Sequence, residues 1–287
     1  MRFWNAFGYI DPRQATGVAA ASEAAGFHGL VVPDHSHYPR QLSTPYPYTA
    51  DGSPPFPPET PWPDVWCVIT AMAVTTTTLR FATAVYVAAA RPLHTVAHQV
   101  ATTAVISDDR VALGVGVGWM REDYDVYGQP FEQRGERLDE MIDALRMLWQ
   151  PGWVEFEGEH YHVPPMRLSP VPSAPIPIYA GGDSEPARRR AATRCDGWVL
   201  AGPLDLASVQ DRVTDMHRRL AAAGRAVDDF TIVAMAPDPW DIDFHRRLED
   251  LGVHDVVCVP WTDMGCDVAT KREAVERFAE QVISVAG

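Results

Sequence analysis

Three polar stretches of this 287-residue chain could carry chemistry, because each directly follows an apolar run typical of a buried strand. Asp34 and His35 follow the first run, the acidic stretch 118–125 follows the second, and the glycine-containing stretch 181–184 follows the third. In folds built from parallel strands, the carboxyl ends of neighbouring strands meet at one face. The sequence therefore predicts that these three stretches form one site.

His35 is the candidate for proton chemistry. Its imidazole lies beside the acid Asp34 in the sequence and is able to donate or accept a proton near neutral pH, or to polarise a cofactor ring. A hydrogen-bonded core histidine is the alternative. We expect His35 to be catalytic if it lies at the carboxyl end of its strand.

Gly181 and Gly182 indicate an anion site. They would leave backbone N–H groups open before a helix that Ser184 is able to cap, and such a helix start suits a phosphate group. The arginines at 188–190 could extend the basic field, although a solvated helix face is favoured for at least two of them. An ordinary tight turn explains the same glycines equally well.

Metal binding is disfavoured. Asp34 with His37, or His94 with His98 one helical turn apart, has the right ligand types. The glutamate of a zinc protease is missing, however, and so is the H-x-H pair that a metal-dependent barrel hydrolase carries after its first strand. The sequence predicts no metal.

Eight strand patterns alternate with helical patterns along the chain. This alternation is typical of a (β/α)8 TIM barrel, and we expect a single domain over residues 1–287. Helices are predicted between the strands, and the last one is expected to start with a capping box at residues 270–273. The predicted strands are residues 2–7, 29–33, 79–87, 111–117, 176–180, 197–201, 230–235 and 255–259.

Two segments interrupt the alternation. Residues 38–63 are rich in proline and aromatic residues, which predicts a stiff apolar loop able to act as a wall or lid after the second strand. Residues 154–163 alternate around Gly158, which predicts a hairpin inserted between the fourth helix and the fifth strand.

The glycines around the fourth strand do not form a dinucleotide fingerprint. Trp119 stands where the third glycine of G-x-G-x-x-G is required, and the next helical pattern begins only near residue 132. Residues 121–125 are therefore predicted as a polar loop. Gly114 is expected to permit close packing inside a barrel.

Composition excludes several classes of partner. The net charge of −14 argues against nucleic acid and against an anionic membrane surface, and no apolar run reaches membrane-spanning length. The amino terminus lacks a signal-peptide pattern, and the cysteines form no C-x-x-C pair, so we expect reduced thiols in the cytoplasm. Whether the chain forms a homodimer stays open. The scattered cysteines are Cys67, Cys195, Cys258 and Cys266.

Several motifs together resemble one family. They are residues 45–52 before 61–64, then 113–122, then 131–137, then 181–184 with 194–198. In this combination the chain closely resembles the luciferase-like monooxygenase superfamily, and within it the branch of F420-dependent oxidoreductases.

The resemblance implies a flavin or deazaflavin lying across the carboxyl ends of the strands. It implies a cis peptide at Ala84-Val85 beneath the ring and a phosphate at the two-glycine turn. His35 would lie beside the reactive carbon, and Tyr46, Tyr48, Trp62 and Trp119 would line the substrate pocket. The cofactor-binding residues expected from it are Asp34, Ala84, Val85, Val117, Gly118, Glu122, Ala180, Gly181, Gly182 and Ser184.

The resulting hypothesis is hydride transfer between coenzyme F420 and a small organic substrate, with the ring chemistry supplied by the cofactor. An FMN-dependent monooxygenase of the same superfamily is the first alternative. A metal-dependent barrel hydrolase and a binding protein without a cofactor are alternatives from other classes.

Overall fold

A closed barrel of eight parallel strands forms the centre of the protein. The computed structural model describes residues 1–201 and 205–286; residues 202–204 and 287 of the domain predicted over 1–287 lie outside them. Around the barrel the strand order is β1, β2, β3, β4, β7, β8, β9, β10, which confirms the predicted (β/α)8 fold. The strands are β1 (Arg2–Ala6), β2 (Gly29–Val32), β3 (Arg80–Thr83), β4 (Val111–Val115), β5 (Val154–Glu157), β6 (His162–Met166), β7 (Ile178–Gly181), β8 (Gly197–Val199), β9 (Thr231–Met235) and β10 (Asp255–Cys258).

Helices surround the barrel, and α5 shows why they pack there. Its apolar side chains recur at helical spacing on one face, and those from Leu138 to Leu148 are fully buried, as predicted. Within the described residues, no helix is long and apolar enough to cross a membrane. The helices are α1 (Ala15–Ala24), α2 (Val65–Ala73), α3 (Leu93–Ile106), α4 (Arg121–Val126), α5 (Arg134–Leu148), α6 (Glu185–Arg194), α7 (Leu206–Ala222), α8 (Ile242–Asp250), α9 (Val268–Phe278) and α10 (Ser284–Ala286).

The barrel is closely packed where β3 meets β4. A side chain at Gly114 would collide with the carbonyl oxygen of Thr83, and the Thr83 hydroxyl donates to the Gly114 carbonyl at 2.7 Å. The expectation that Gly114 serves close packing is confirmed. The inserted hairpin is confirmed as well: β5 pairs with β6 antiparallel outside the barrel.

The acidic stretch after β4 was predicted to be a loop, and this prediction is wrong. It forms the six-residue helix α4. Gly118 turns the chain with a φ of +69°, a region that favours glycine. Tyr124 is then fully buried, and its hydroxyl donates to the Val117 carbonyl at 2.6 Å. This anchor folds the acidic residues back over the barrel end as a helix.

Three other predicted boundaries are wrong. The last helix starts at Val268, because Asp267 caps it by accepting from the Thr270 N–H at 2.9 Å; residues 270–273 lie inside the helix. Helix α2 was predicted to reach residue 77, but it ends at Ala73. The Arg110 guanidinium donates to the Ala73 carbonyl at 2.8 Å. The third strand ends at Thr83 instead of residue 87.

Candidate active site

Val85 meets two glycines at the carboxyl ends of β3, β4 and β7. The Ala84-Val85 peptide is cis, as expected. The Val85 side chain fits against Gly116 and Gly181, and a Cβ on either glycine would come within 2.5 Å of a Val85 methyl carbon. Any side chain at these glycines would therefore displace Val85. We refer to Val85, Gly116 and Gly181 as the cradle, in which the Val85 side chain occupies the space that a side chain on either glycine would need.

Asp34 fixes the chain beside the cradle. It is buried, and its two carboxylate oxygens accept from the Val87 N–H at 2.9 Å and from the Arg91 guanidinium at 2.8 Å. Burial raises the pKa of Asp34, against the opposing effect of Arg91. Both oxygens thus serve the protein itself, and a direct contact of Asp34 with a cofactor stays a prediction.

His35 lies in a cage of aromatic rings. The ring centroid of Trp62 is 4.7 Å from that of the imidazole, that of Phe56 is 5.3 Å away, and that of Trp119 is 5.9 Å away. The imidazole Nδ1 is buried and makes no hydrogen bond with any residue that the structure describes; Asp123 Oδ2 lies 3.7 Å from it. His35 is therefore not the hydrogen-bonded core histidine of the alternative interpretation.

The proline-rich segment 38–63 supplies two of the three rings of this cage, and two of its tyrosines pack outside the cage. Tyr46 packs edge-on against Trp119 at 5.2 Å, and Tyr48 packs against Tyr46 at 5.5 Å. Burial raises the pKa of Tyr46 to about 12, with smaller contributions from Tyr9 and Tyr48. The four residues expected to line a pocket are therefore brought together, and Tyr46 stays uncharged at neutral pH.

Glu122 fastens this segment to α4. Its Oε1 accepts from the Ser43 N–H at 2.7 Å, whereas its buried Oε2 has no hydrogen-bond partner. Burial acts to raise the pKa of Glu122, but the Ser43 N–H reverses this and lowers it below its usual value. The carboxylate is therefore ionised at neutral pH, and one of its oxygens is buried without a partner among the described residues.

The two-glycine turn differs from its prediction in one respect. Gly182 has a φ of +107°, but its N–H donates to the Val199 carbonyl at 3.3 Å and is not open to a ligand. Ser184 caps α6 as predicted, accepting from the Ala187 N–H at 3.4 Å. Ala180 is fully buried in β7, so its side chain offers no surface. An anion at this turn would rely on N–H groups nearer the start of α6.

The three arginines of α6 are mostly paired rather than solvated, in contrast to the expectation. Arg190 is 3% exposed and pairs with Asp139 of α5, while Arg188 lies 3.1 Å from Asp215 of α7. Only Arg189 is largely exposed. Their role is to join α6 to its neighbouring helices.

Asp123 is the main site residue that the sequence interpretation missed. It is buried on α4, accepts from the Ser36 hydroxyl at 2.9 Å and faces His35. Phe56 and Arg91 were missed as well. The only sequence signal for Asp123 was its place in the acidic stretch, and its distance of 88 positions from His35 hid the pairing.

Two clefts in the described part of the chain lie away from His35 and the cradle. One of about 420 Å³ lies between α9 and the loops after β9 and β10, lined by Trp240, Trp261, Glu273 and Arg277 among others. The other lies at the amino end of the barrel. Neither includes the cradle or His35. Among the residues that the structure describes, no three His, Cys, Asp or Glu side chains gather as a metal site.

Comparisons with known proteins agree with this fold. The family model described as luciferase-like monooxygenase matches residues 5–238. An uncharacterized protein of Mycobacterium tuberculosis is 38% identical, covering 99% of each chain.

Two solved structures share the fold. The coenzyme F420-dependent tetrahydromethanopterin reductase of Methanopyrus kandleri matches with a TM-score of 0.77 at 16% identity, covering 100% of this chain and 99% of that one. Monooxygenase RslO1 of Streptomyces bottropensis matches with a TM-score of 0.73 at 16% identity, covering 100% of both. The family match over most of the chain and the 38% identical relative together show that the protein belongs to the luciferase-like monooxygenase family.

Proposed function

We propose that the protein is an F420-dependent oxidoreductase that transfers a hydride between the deazaflavin cofactor and a small organic substrate. The cradle is the observation that carries this proposal, because the missing Cβ atoms of Gly116 and Gly181 let the Val85 side chain pack directly on their backbone at the carboxyl ends of the strands. Its position beside His35 adds a proton-handling group to a surface suited to a flat ring.

The chain offers residues for each part of such a cofactor. Ala84 and Val85 would support one face of the ring, and Val117, Gly118 and Glu122 would lie at its edge. The turn at Gly181 and Gly182 would leave room for the phosphate, and N–H groups near Ser184 at the start of α6 would hold it, where the helix dipole favours an anion. When bound, F420 supplies the site that accepts or gives up the hydride.

His35 would carry the proton that accompanies hydride transfer. Its Nδ1 faces Asp123, which leaves Nε2 for the substrate. The aromatic cage covers most of the imidazole, whose side chain is 12% exposed. Tyr46 and Trp119 would bound the space for the substrate without adding charge.

An FMN-dependent monooxygenase is the second candidate. The description of the family model and the similarity to RslO1 favour it. The similarity to an F420-dependent reductase and the proton-handling group beside the cradle favour F420. Homodimer formation and a cytoplasmic location stay predictions of the sequence.

A fluorescence titration of the purified protein with F420 and with FMN tests the proposal. We expect F420 to bind at least about tenfold more tightly than FMN, a difference of about 1.4 kcal/mol. His94→Gln, which removes an exposed histidine on the outer side of α3, is the matched control and leaves both affinities unchanged. Tighter binding of FMN would favour the monooxygenase, and no binding of either would favour a binding protein without this cofactor.

A further inference from the structure

A chain of polar groups connects the caged His35 with a more exposed histidine. His37 Nδ1 lies 2.7 Å from the Ser36 hydroxyl, and this hydroxyl donates to Asp123 Oδ1 at 2.9 Å. The other carboxylate oxygen of Asp123 lies 3.7 Å from His35 Nδ1. Side-chain exposure rises from 12% at His35 to 28% at His37.

We propose that Ser36, His37 and Asp123 form a proton relay between His35 and solvent; its use in turnover rests on the function proposed above. Three aromatic rings surround His35, so direct access of water to its buried Nδ1 is blocked. The relay supplies a route that does not pass through the substrate space.

The direction of the hydrogen bonds follows from the single proton of a serine hydroxyl. Ser36 donates that proton to Asp123, so the same oxygen has to accept from His37. His37 is therefore protonated on Nδ1. The opposite tautomer would require Ser36 to donate to His37 and would break the link to Asp123.

One transfer moves one proton and no electrons. His37 takes a proton from water on Nε2 and passes its Nδ1 proton to the Ser36 oxygen, while Ser36 passes its own hydroxyl proton to Asp123 Oδ1. A half-turn of the neutral carboxyl group then presents this proton to His35 Nδ1. Asp123 returns to the carboxylate, and His37, now protonated on Nε2, returns to its Nδ1 tautomer by proton exchange with water while the Ser36 hydroxyl turns back to Asp123. The reverse sequence carries a proton out.

The tautomer of His37 is the first test, measured by long-range ¹H–¹⁵N NMR on the full-length protein labelled with ¹⁵N-histidine. We expect neutral His37 to carry its proton on Nδ1 in the wild type and in Ser36→Thr, which keeps the hydroxyl. In Ser36→Ala it should move to Nε2. A wild-type His37 protonated on Nε2 would overturn the relay.

The second test is the exchange of the His35 Nδ1 proton with water, measured by saturation transfer. We expect exchange to slow about tenfold or more in Ser36→Ala and His37→Gln, because one charge-assisted hydrogen-bonded link is lost. Ser36→Thr and the control His94→Gln should keep the wild-type rate. An unchanged rate in His37→Gln would contradict the relay.

Neither test requires a cofactor, which separates the two proposals. If the tautomer and the exchange rates are as expected but F420 does not bind, the relay is supported and the cofactor assignment is wrong. If F420 binds and the exchange rates do not respond to Ser36→Ala, the cofactor assignment is supported and the relay is wrong.

Discussion

The two ends of the barrel differ in how their buried polar groups are satisfied. At the amino end, Asp255 accepts from the Trp4 indole at 2.6 Å and also from Arg2. The Arg110 guanidinium donates four hydrogen bonds to backbone carbonyls and a fifth to the Thr76 hydroxyl. These groups hold helix ends and strand starts together, and we attribute fold stability to them.

At the carboxyl end, several buried polar atoms have no hydrogen-bond partner within the part of the chain that is described. They are His35 Nδ1, Trp62 Nε1, Glu122 Oε2 and Asp183 Oδ1. Each such atom costs about 1–3 kcal/mol, which a fold can tolerate where a ligand later satisfies the atom. Asp109 Oδ1, next to Arg110 at the amino end, is unpaired among the described residues as well, so the two ends differ in degree: more of the unpaired atoms that a ligand can satisfy lie at the carboxyl end.

His35→Ala is expected to have the largest effect and to separate the two ends most clearly. Turnover should fall by about 10²–10⁴-fold, because a positioned acid or base is lost. F420 affinity should stay within about tenfold, since one polar contact is worth about 1 kcal/mol. Melting temperature, cofactor affinity and single-turnover reduction are measured on one preparation. Early melting with normal turnover per folded molecule would remove His35 from the mechanism.

Arg110→Met should produce the largest loss of stability. The free energy of unfolding should fall by about 3–5 kcal/mol, because several buried carbonyls lose their donor. Activity per folded molecule should be unchanged. Urea denaturation measures the effect. The control Arg246→Met breaks only an exposed pair with Asp243 and should change stability by less than about 1 kcal/mol. Equal losses in the two variants would contradict the role assigned to Arg110.

Gly182→Val should weaken F420 binding by about tenfold or more, because its side chain would fill the turn beside α6. The positive φ of Gly182 also adds strain of about 1–2 kcal/mol. Gly26→Val is the matched control: Gly26 has a φ of +81° and open space around it, far from the site. Ser184→Ala should weaken binding less. Fluorescence titration that shows equal affinities in Gly182→Val and Gly26→Val would move the phosphate elsewhere.

Glu23 should give the smallest effect, one that depends on pH. Burial acts to raise its pKa, but the N–H groups of Thr78, Leu79 and Thr77 lower it from 4.5 to about 2. Because folding lowers the pKa of Glu23, its contribution to the free energy of unfolding is fully present above pH 4.5. This contribution is lost as the pH falls towards 2. The side chain is partly exposed, so we expect only about 1 kcal/mol.

Thermal melts of the wild type and Glu23→Gln from pH 7 to pH 2 measure this contribution. The difference between their melting temperatures should shrink as the pH falls below 4.5. A difference in melting temperature that is constant over the whole pH range would contradict a stabilising role of the ionised Glu23 carboxylate.

Local patterns predicted the fold, whereas long-range pairing decided the site. Strand and helix alternation, the apolar face of α5 and the cap at Ser184 depend on neighbouring residues and were correct. Helix α4 was missed because it is only six residues long and has no side-chain cap. The pairing of Asp123 with His35 joins positions far apart, which no local spacing reveals.

The hydrogen-bond partner of the Gly182 N–H could not be predicted from the sequence either. The pattern at 181–184 predicted two open N–H groups, but the register of β7 with β8 directs the Gly182 N–H to the Val199 carbonyl. Similarly, a solvated helix face was favoured for at least two of the three consecutive arginines, whereas Asp139 and Asp215 on neighbouring helices pair with all three. Both outcomes depend on which elements become neighbours in space.

A crystal structure of the protein in complex with F420 would locate the cofactor ring. We expect the deazaflavin ring to lie against Val85, between Gly116 and Gly181, with His35 beside it and its phosphate at the start of α6. A ring bound elsewhere, such as in the cleft between Trp240 and Trp261, would contradict the assignment of the carboxyl-end cradle as the cofactor site.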